Sequence, residues 1–506
     1  MATQRSIPPP DFPIHEPVER LAKVVGVTVI VASALSQEYG SGINFVLTSS
    51  LGAYPKVTYL VPLAMVIAGI VLLPKVVLFM RFASVIPRAG STYVWLTRSL
   101  NLPVGFVVAF LWFVGVVAGI GFLSFSFASF LSSSLEALGL PGAWATTHAG
   151  HVVIGLALIW LIFGLHYSGV RRYGIFVLFI MALVLAAACI TMFYGFSTPQ
   201  STVLDSVQRV LGHMPPTPTS AQARPSLEAF ISVITLFMFA YGGLTAATSL
   251  GGEARDATRT MPRGIFFGWL TAFILYSLVS LSLFHAVPWW AVKPLVDSKH
   301  AELATTPGLI GLAAPQAIAV LVNVLVMVIV GKTVAPQMLD SSRYLFAWAQ
   351  DGLLPKSFMH TAKTKAPDVA LLMTAMLGSL FLLEATFFGW AIGVTIRAMS
   401  LVLVFGMLGV GVFNLRFNQA FRGSFWAEAI VRRPGTLVAG ALATIIAIIL
   451  LQSIIVVPKT PWMFQPSFQA VIAVLIAVAI YLNAARSARR NGTDLRAEVR
   501  TRLPLE

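Results

Sequence analysis

Apolar runs of 18 or more residues recur along this chain from Leu21 to Leu482. A helix needs about 20 such residues to cross roughly 30 Å of hydrocarbon. A backbone in lipid must also satisfy its own polar groups, so runs of this length dictate spanning helices. Twelve spans are expected, at 24–52, 57–80, 103–132, 150–167, 173–196, 228–251, 264–288, 310–338, 368–386, 390–415, 436–457 and 466–483. Charge agrees with this reading. Only 34 basic and 19 acidic side chains occur in 506 residues, where a soluble chain carries about a quarter charged residues. The expected fold class is therefore an all-α polytopic membrane protein. Met1 to Glu19 are rich in proline and polar residues and lack a signal-peptide core, so the first run is expected to be retained as a span. Cys189 stands alone and can build neither a disulfide framework nor a metal box.

An even number of spans puts both termini on one side, and the basic residues choose the side. With the N-terminus inside, 25 Lys and Arg fall in inner segments and 6 in outer ones. The expected location is the cytoplasmic membrane with both ends in the cytoplasm. The same asymmetry accounts for the formal charge of +15, which leaves nucleic-acid binding without support.

Two spans carry glycine interruptions: Gly40-Ser41-Gly42 in span one and Gly242-Gly243 in span six. Glycine costs about 1 kcal/mol relative to alanine inside a helix. Either pair taken alone reads equally well as a packing surface, like Gly115 and Gly119 of span three. Interruptions five spans apart fit better as an inverted repeat of spans one to five and six to ten. In that architecture solute binds at the midplane between broken helices. Half-helix N-termini offer amides to an anion and half-helix C-termini offer carbonyls to a cation, so a zwitterion suits both. The organisation expected is an N-terminal segment 1–23, a ten-helix core 24–415, two additional helices within 416–483 and a basic tail 484–506.

Four local patterns make the chain resemble the amino acid–polyamine–organocation transporter superfamily. Gly40-Ser41-Gly42-Ile43 is similar to that family's first-helix break, with Asn44 where an aromatic is usual. Pro87-Arg88-Ala89-Gly90-Ser91-Thr92-Tyr93 resembles its motif after span two, with Ser91 replacing a glycine. Phe239-Ala240-Tyr241-Gly242-Gly243 and the loop from Glu253 to Arg263 resemble its sixth-helix break and following loop, with Leu244 in place of the usual tryptophan. Ser342-Arg343-Tyr344-Leu345-Phe346-Ala347 through Asp351-Gly352-Leu353-Leu354-Pro355 resembles the segment after span eight. The resemblance implies a leucine-transporter-like core with helices one and six broken, plus two further helices, working by alternating access. It implies that Ser41, Gly42 and Ile43 hold a substrate carboxylate, with Asn44 beside them in the substrate site. The ammonium would then meet carbonyls of Phe239, Ala240 and Tyr241, with Gly242 and Thr245 beside them.

Ionisable groups inside spans default to functional roles. Glu38, two residues before Gly40, is expected either to attract a cationic group, to carry a coupling proton, or to partner a base in the wall. Relatives that work without sodium often place a lysine on helix five, where this chain has Val184. Lys332 and Thr333 instead lie about three turns, roughly 16 Å, before Arg343 on span eight. Lys332 is expected to take the sodium position from the opposite wall and brace helix one against helix eight. Arg397 is expected to pair with Glu384 on the outer side, and Lys75 to snorkel to inner headgroups. Glu253, Arg255, Asp256 and Arg343 are candidates for an inner gate.

The function expected is secondary transport of amino acids, coupled to protons or exchange rather than to sodium. The alternatives are a polyamine or organocation carrier and a solute-binding membrane sensor without transport. The partners expected are a small amino acid or amine, the lipid bilayer and protons. No nucleophile with a base and no metal cluster supports an enzyme, and no cofactor is expected.

Overall fold

The computed structural model describes residues 21–40, 42–298, 303–388, 394–454 and 462–501. Among these, eleven helices are long and apolar enough to cross a membrane, and they correspond to spans two to twelve of the expected twelve. The first span is the divided one. It runs as α-helix over Val27–Glu38, turns at Tyr39 and Gly40, and resumes as a π-helical segment Gly42–Val46 followed by Leu47–Ala53.

Span two restarts at its prolines. Pro62 and Pro74 each fall in the first turn of a new helical segment, where a missing N–H costs nothing. Span three, Leu102–Ala137, is the axis of the bundle and packs against spans eight, nine and ten. Spans five and seven grip the first half-helix. Ser33 bonds the Tyr173 hydroxyl at 2.7 Å, and a Cβ on Gly268 would stand 2.8 Å from that of Ala34.

At one end of the bundle the segment before span one pairs with the loop after span six. Val25 N–H donates to Glu253 O and Arg255 N–H to Val25 O, both at 2.9 Å. Two buried ion pairs lie beside this bridge. Arg343 Nη2 meets Glu253 Oε1 at 2.7 Å. Arg98 grips Asp351 with both guanidinium branches, at 2.5 and 2.7 Å. Tyr93 donates to the same carboxylate at 2.5 Å. Burial and the Asp351 charge hold the Tyr93 phenol well above its usual range, so it remains a donor. Truncating one member of such a pair strands the other charge in a dry interior. Asp351→Ala is expected to cost about 3–5 kcal/mol, read as a lowered unfolding midpoint in detergent, whereas Arg98→Met with Asp351→Leu recovers most of the loss. Equal midpoints for Asp351→Ala and wild type would contradict this.

At the opposite end, the short helices Gln200–Leu211, Trp289–Val296 and Thr306–Ala313 pack together over the second half of span one. The Thr306 hydroxyl donates to Ile43 O at 2.8 Å.

Candidate functional site

The interruption in span one exposes carbonyls at the end of its first half-helix, and side chains from spans seven and eight and from its own second half meet them. Lys332 Nζ donates to Ser36 O and, at 3.4 Å, to Leu35 O. The Tyr276 hydroxyl donates to Glu38 O and at 3.2 Å to Ala240 O. Asn44 Nδ2 donates to Gly40 O at 2.9 Å. An ammonium at a helix C-terminus also complements the macrodipole. The break is thus a fixed feature, closed by donors from spans seven and eight.

Span six departs from expectation. Its helix does not unwind at Gly242 but tightens into a 3-10 turn over Tyr241–Gly243, and α-helix returns at Leu244. The tighter turn releases carbonyls without a gap in the chain. Tyr276 takes that of Ala240, and Lys75 Nζ reaches that of Tyr241 at 3.4 Å. The two interruptions pack on each other reciprocally. A Cβ on Gly42 would stand 2.5 Å from the Ala240 Cβ, and a Cβ on Gly243 would stand 2.6 Å from the Glu38 backbone nitrogen.

Between them lies a small cavity of about 20 Å³. Glu38, Gly42, Ala240 and Thr333, all candidates from the sequence, line it together with Gln37, Leu123, Gly243, Gln337 and Arg397. Other candidates are engaged nearby. Ile43 and Asn44 are buried beyond the break. Tyr241 turns its hydroxyl to Met65 O at 3.3 Å and its ring to Tyr276, Gly242 abuts Leu401, and the Thr245 hydroxyl donates to Gln37 Oε1 at 3.3 Å. Phe239 lies within the helix Leu227–Ala240; its side chain, like the whole of Ser41, is outside the described residues.

Glu38 is 2% exposed, and neither carboxylate oxygen has a hydrogen-bond partner among the described residues. Lys75 and Lys332 supply its compensating field. Lys75 does not snorkel. Span two continues to Val85, ten residues or about 15 Å past it, so the ammonium sits deep in the bundle, 5.3 Å from the Phe79 ring centre. Arg397, expected on the outer side, lines the cavity as well. Gly115 admits its backbone, Gly119 leaves room for its guanidinium beside Gln337, and the guanidinium lies 5.7 Å from the Trp112 ring centre. The Asp340 carboxylate compensates it while accepting from Trp112 at 2.9 Å and Ser249 at 2.5 Å.

Of the gate candidates, only Glu253 and Arg343 meet. Arg255 contributes its backbone to the bridge with Val25, and Asp256 faces solvent with Arg259 at 3.9 Å. Sequence reasoning passed over Gln37, Gln337 and Asp340. They are single polar residues in apolar or mixed segments, and the only signal was their depth.

A helical membrane bundle with a buried polar chamber between an interrupted helix and a tightened one is the architecture of a solute permease. The family model described as amino acid permease matches residues 23–482, and the chain belongs to that family. It is similar to the branched-chain amino acid permease BcaP of Lactococcus lactis subsp. cremoris, 24% identical over 76% of this chain and 78% of the relative. The Bacillus subtilis permease of the same name is 24% identical over 79% and 82%. The aspartate-proton symporter of B. subtilis is 23% identical over 70% and 66%. The protein is thus an amino acid transporter and not an enzyme.

Proposed function

We propose that this permease moves amino acids across the cytoplasmic membrane by alternating access, with both termini inside, and that it runs on protons or exchange rather than on sodium. The observation that carries the reading is the reciprocal glycine packing of spans one and six around a polar chamber. Residues 24–415 then form the inverted-repeat core, 416–483 add two helices, and 1–23 and 484–506 flank them on the cytoplasmic side. A chamber of about 20 Å³ holds one water molecule and no amino acid, so spans one and six must part for substrate to enter. When they do, the amides of Gly42 and Ile43 and the carbonyls of Ala240 and Tyr241 face the opening, as a carboxylate and an ammonium require. The Ser41 amide and the Phe239 carbonyl belong to the same proposed cradle.

Lys332 supports independence from sodium, because its ammonium already occupies the C-terminal end of the first half-helix. Protons fit a carboxylate such as Glu38, and one relative is named an aspartate-proton symporter. The amine alternative loses its support. Glu38 was that support, and its carboxylate lies in the field of Lys75 and Lys332, with Arg397 lining the same chamber.

Uptake into proteoliposomes of a labelled amino acid and amine panel, with proton and sodium gradients imposed separately, tests the reading. Expected is accumulation of amino acids under an inward proton gradient or by counterflow, unchanged by sodium. Amine uptake that amino acids do not compete with, or an absolute need for external sodium, overturns it. Binding without any flux would instead favour the sensor.

A further inference from the structure

A second polar site lies away from the chamber, where spans two and eleven meet at the end of the bundle that the proposed topology assigns to the cytoplasm. Arg81 reaches across with Nη2 to Ala429 O at 2.9 Å, while its Nε is buried with no partner among the described residues. Arg433 stands close enough to repel it. The next helix, Pro434–Ile454, begins directly after Arg433. Thr436 in its first turn is 1% exposed, and its hydroxyl has no partner among the described residues. These groups surround a cavity of about 160 Å³ whose remaining wall is Val77, Met80 and Gly435. Among the described residues no carboxylate lines it, and nearby Glu428 accepts the Gly423 amide at 3.1 Å.

Two arginines, an orphan buried hydroxyl and a helix N-terminus converge on one point, and each favours an anion. The cavity wall itself is apolar. It continues toward the bilayer centre as exposed stripes, Val438 and Leu442 above Gly435 on span eleven and Ile70 above Val77 on span two, each at helical spacing. A free phosphate would gain nothing from those stripes, whereas a lipid uses both parts. We propose that this cleft is a binding site for an anionic phospholipid of the inner leaflet. The phosphate takes the Arg81 Nε–H, the Arg433 guanidinium and the Thr436 hydroxyl, and an acyl chain lies along the two stripes. Basic pockets between spanning helices on the cytoplasmic side are suited to such headgroups.

Native mass spectrometry of the purified full chain, with phosphatidylglycerol or phosphatidylcholine added in a neutral detergent, tests the site without reference to transport. Wild type is expected to retain one phosphatidylglycerol with about tenfold preference over phosphatidylcholine. Arg81→Gln with Arg433→Gln is expected to abolish that preference, and Thr436→Val to reduce it severalfold. The lipid-free melting temperature reports whether each variant folds. If the double variant does not, Arg433→Gln alone, at an exposed side chain, carries the test. Equal retention of the two lipids, an undiminished preference in the folded arginine variants, or displacement of the lipid by millimolar inorganic phosphate overturns the proposal.

Discussion

Lys332→Met is expected to reduce proton-driven uptake by about 100-fold or more while the protein still inserts and folds. The ammonium donates to the Leu35 and Ser36 carbonyls, the terminal acceptors of the first half-helix. Hydrogen bonds from a charged donor are worth about 1.5–3 kcal/mol each. Their loss strands the Ser36 carbonyl in a water-poor interior, while Leu35 O keeps the Tyr39 amide at 2.9 Å, and leaves Glu38 with Lys75 as its remaining lysine neighbour. A change of about 3 kcal/mol between two conformations shifts their ratio by more than 100-fold, enough to halt a carrier that must visit both. Glu38→Gln in the same background separates charge balance from hydrogen bonding. Read by amino acid counterflow, which needs no coupling proton, the double variant recovers exchange if Lys332 serves only to neutralise Glu38 and stays inactive if it braces the half-helix. Flux in Lys332→Met equal to wild type under the same gradient would remove Lys332 from the transport cycle.

The spans were legible because the length of an apolar run is set by the bilayer and needs no knowledge of neighbours. The depth of Lys332 was legible for a similar reason, since counting turns back from Arg343 places it far from either interface. Lys75 was misplaced because the inner end of span two was drawn at residue 80, and helix extending to Val85 turns a boundary residue into an interior one. The chamber-lining position of Arg397 was not legible. Gly115 and Gly119 read as a generic packing pair on span three, and only the fold shows that the space they leave admits an arginine. Span six illustrates a subtler limit. Two adjacent glycines permit a gap or a tighter turn equally well, and Tyr276 and Lys75, far away in sequence, supply the donors that make the tighter turn sufficient. The bidentate grip of Arg98 on Asp351 joins residues 253 positions apart, a relation no local pattern carries.

Gly243→Val is expected to abolish measurable uptake, and Gly243→Ala to reduce it by about tenfold or more, without loss of the packing of span three against spans eight and nine. A Cβ at this position would lie 2.6 Å from the Glu38 nitrogen and 2.9 Å from the Gln37 carbonyl carbon. Both are backbone atoms, which cannot swing aside as a side chain can. Spans one and six must therefore separate, at an overpacking cost of about 1–3 kcal/mol for the first methyl. Separation also stretches the bonds from the Ala246 N–H to Gln37 Oε1, now 2.9 Å, and from the Tyr276 hydroxyl to both Glu38 O and Ala240 O. Gly42→Ala should behave alike, because its Cβ meets Ala240 across the same contact. Gly26→Ala, with nothing within 4 Å of the added Cβ, is the matched control and should leave uptake unchanged. If the chamber mattered only for stability, the Gly243 variants would lose flux in proportion to their lowered unfolding midpoint, and stabilising conditions would restore it. If spans one and six must close on each other in every cycle, flux stays low in variants that remain folded. Full activity in folded Gly243→Val would remove that contact from the mechanism.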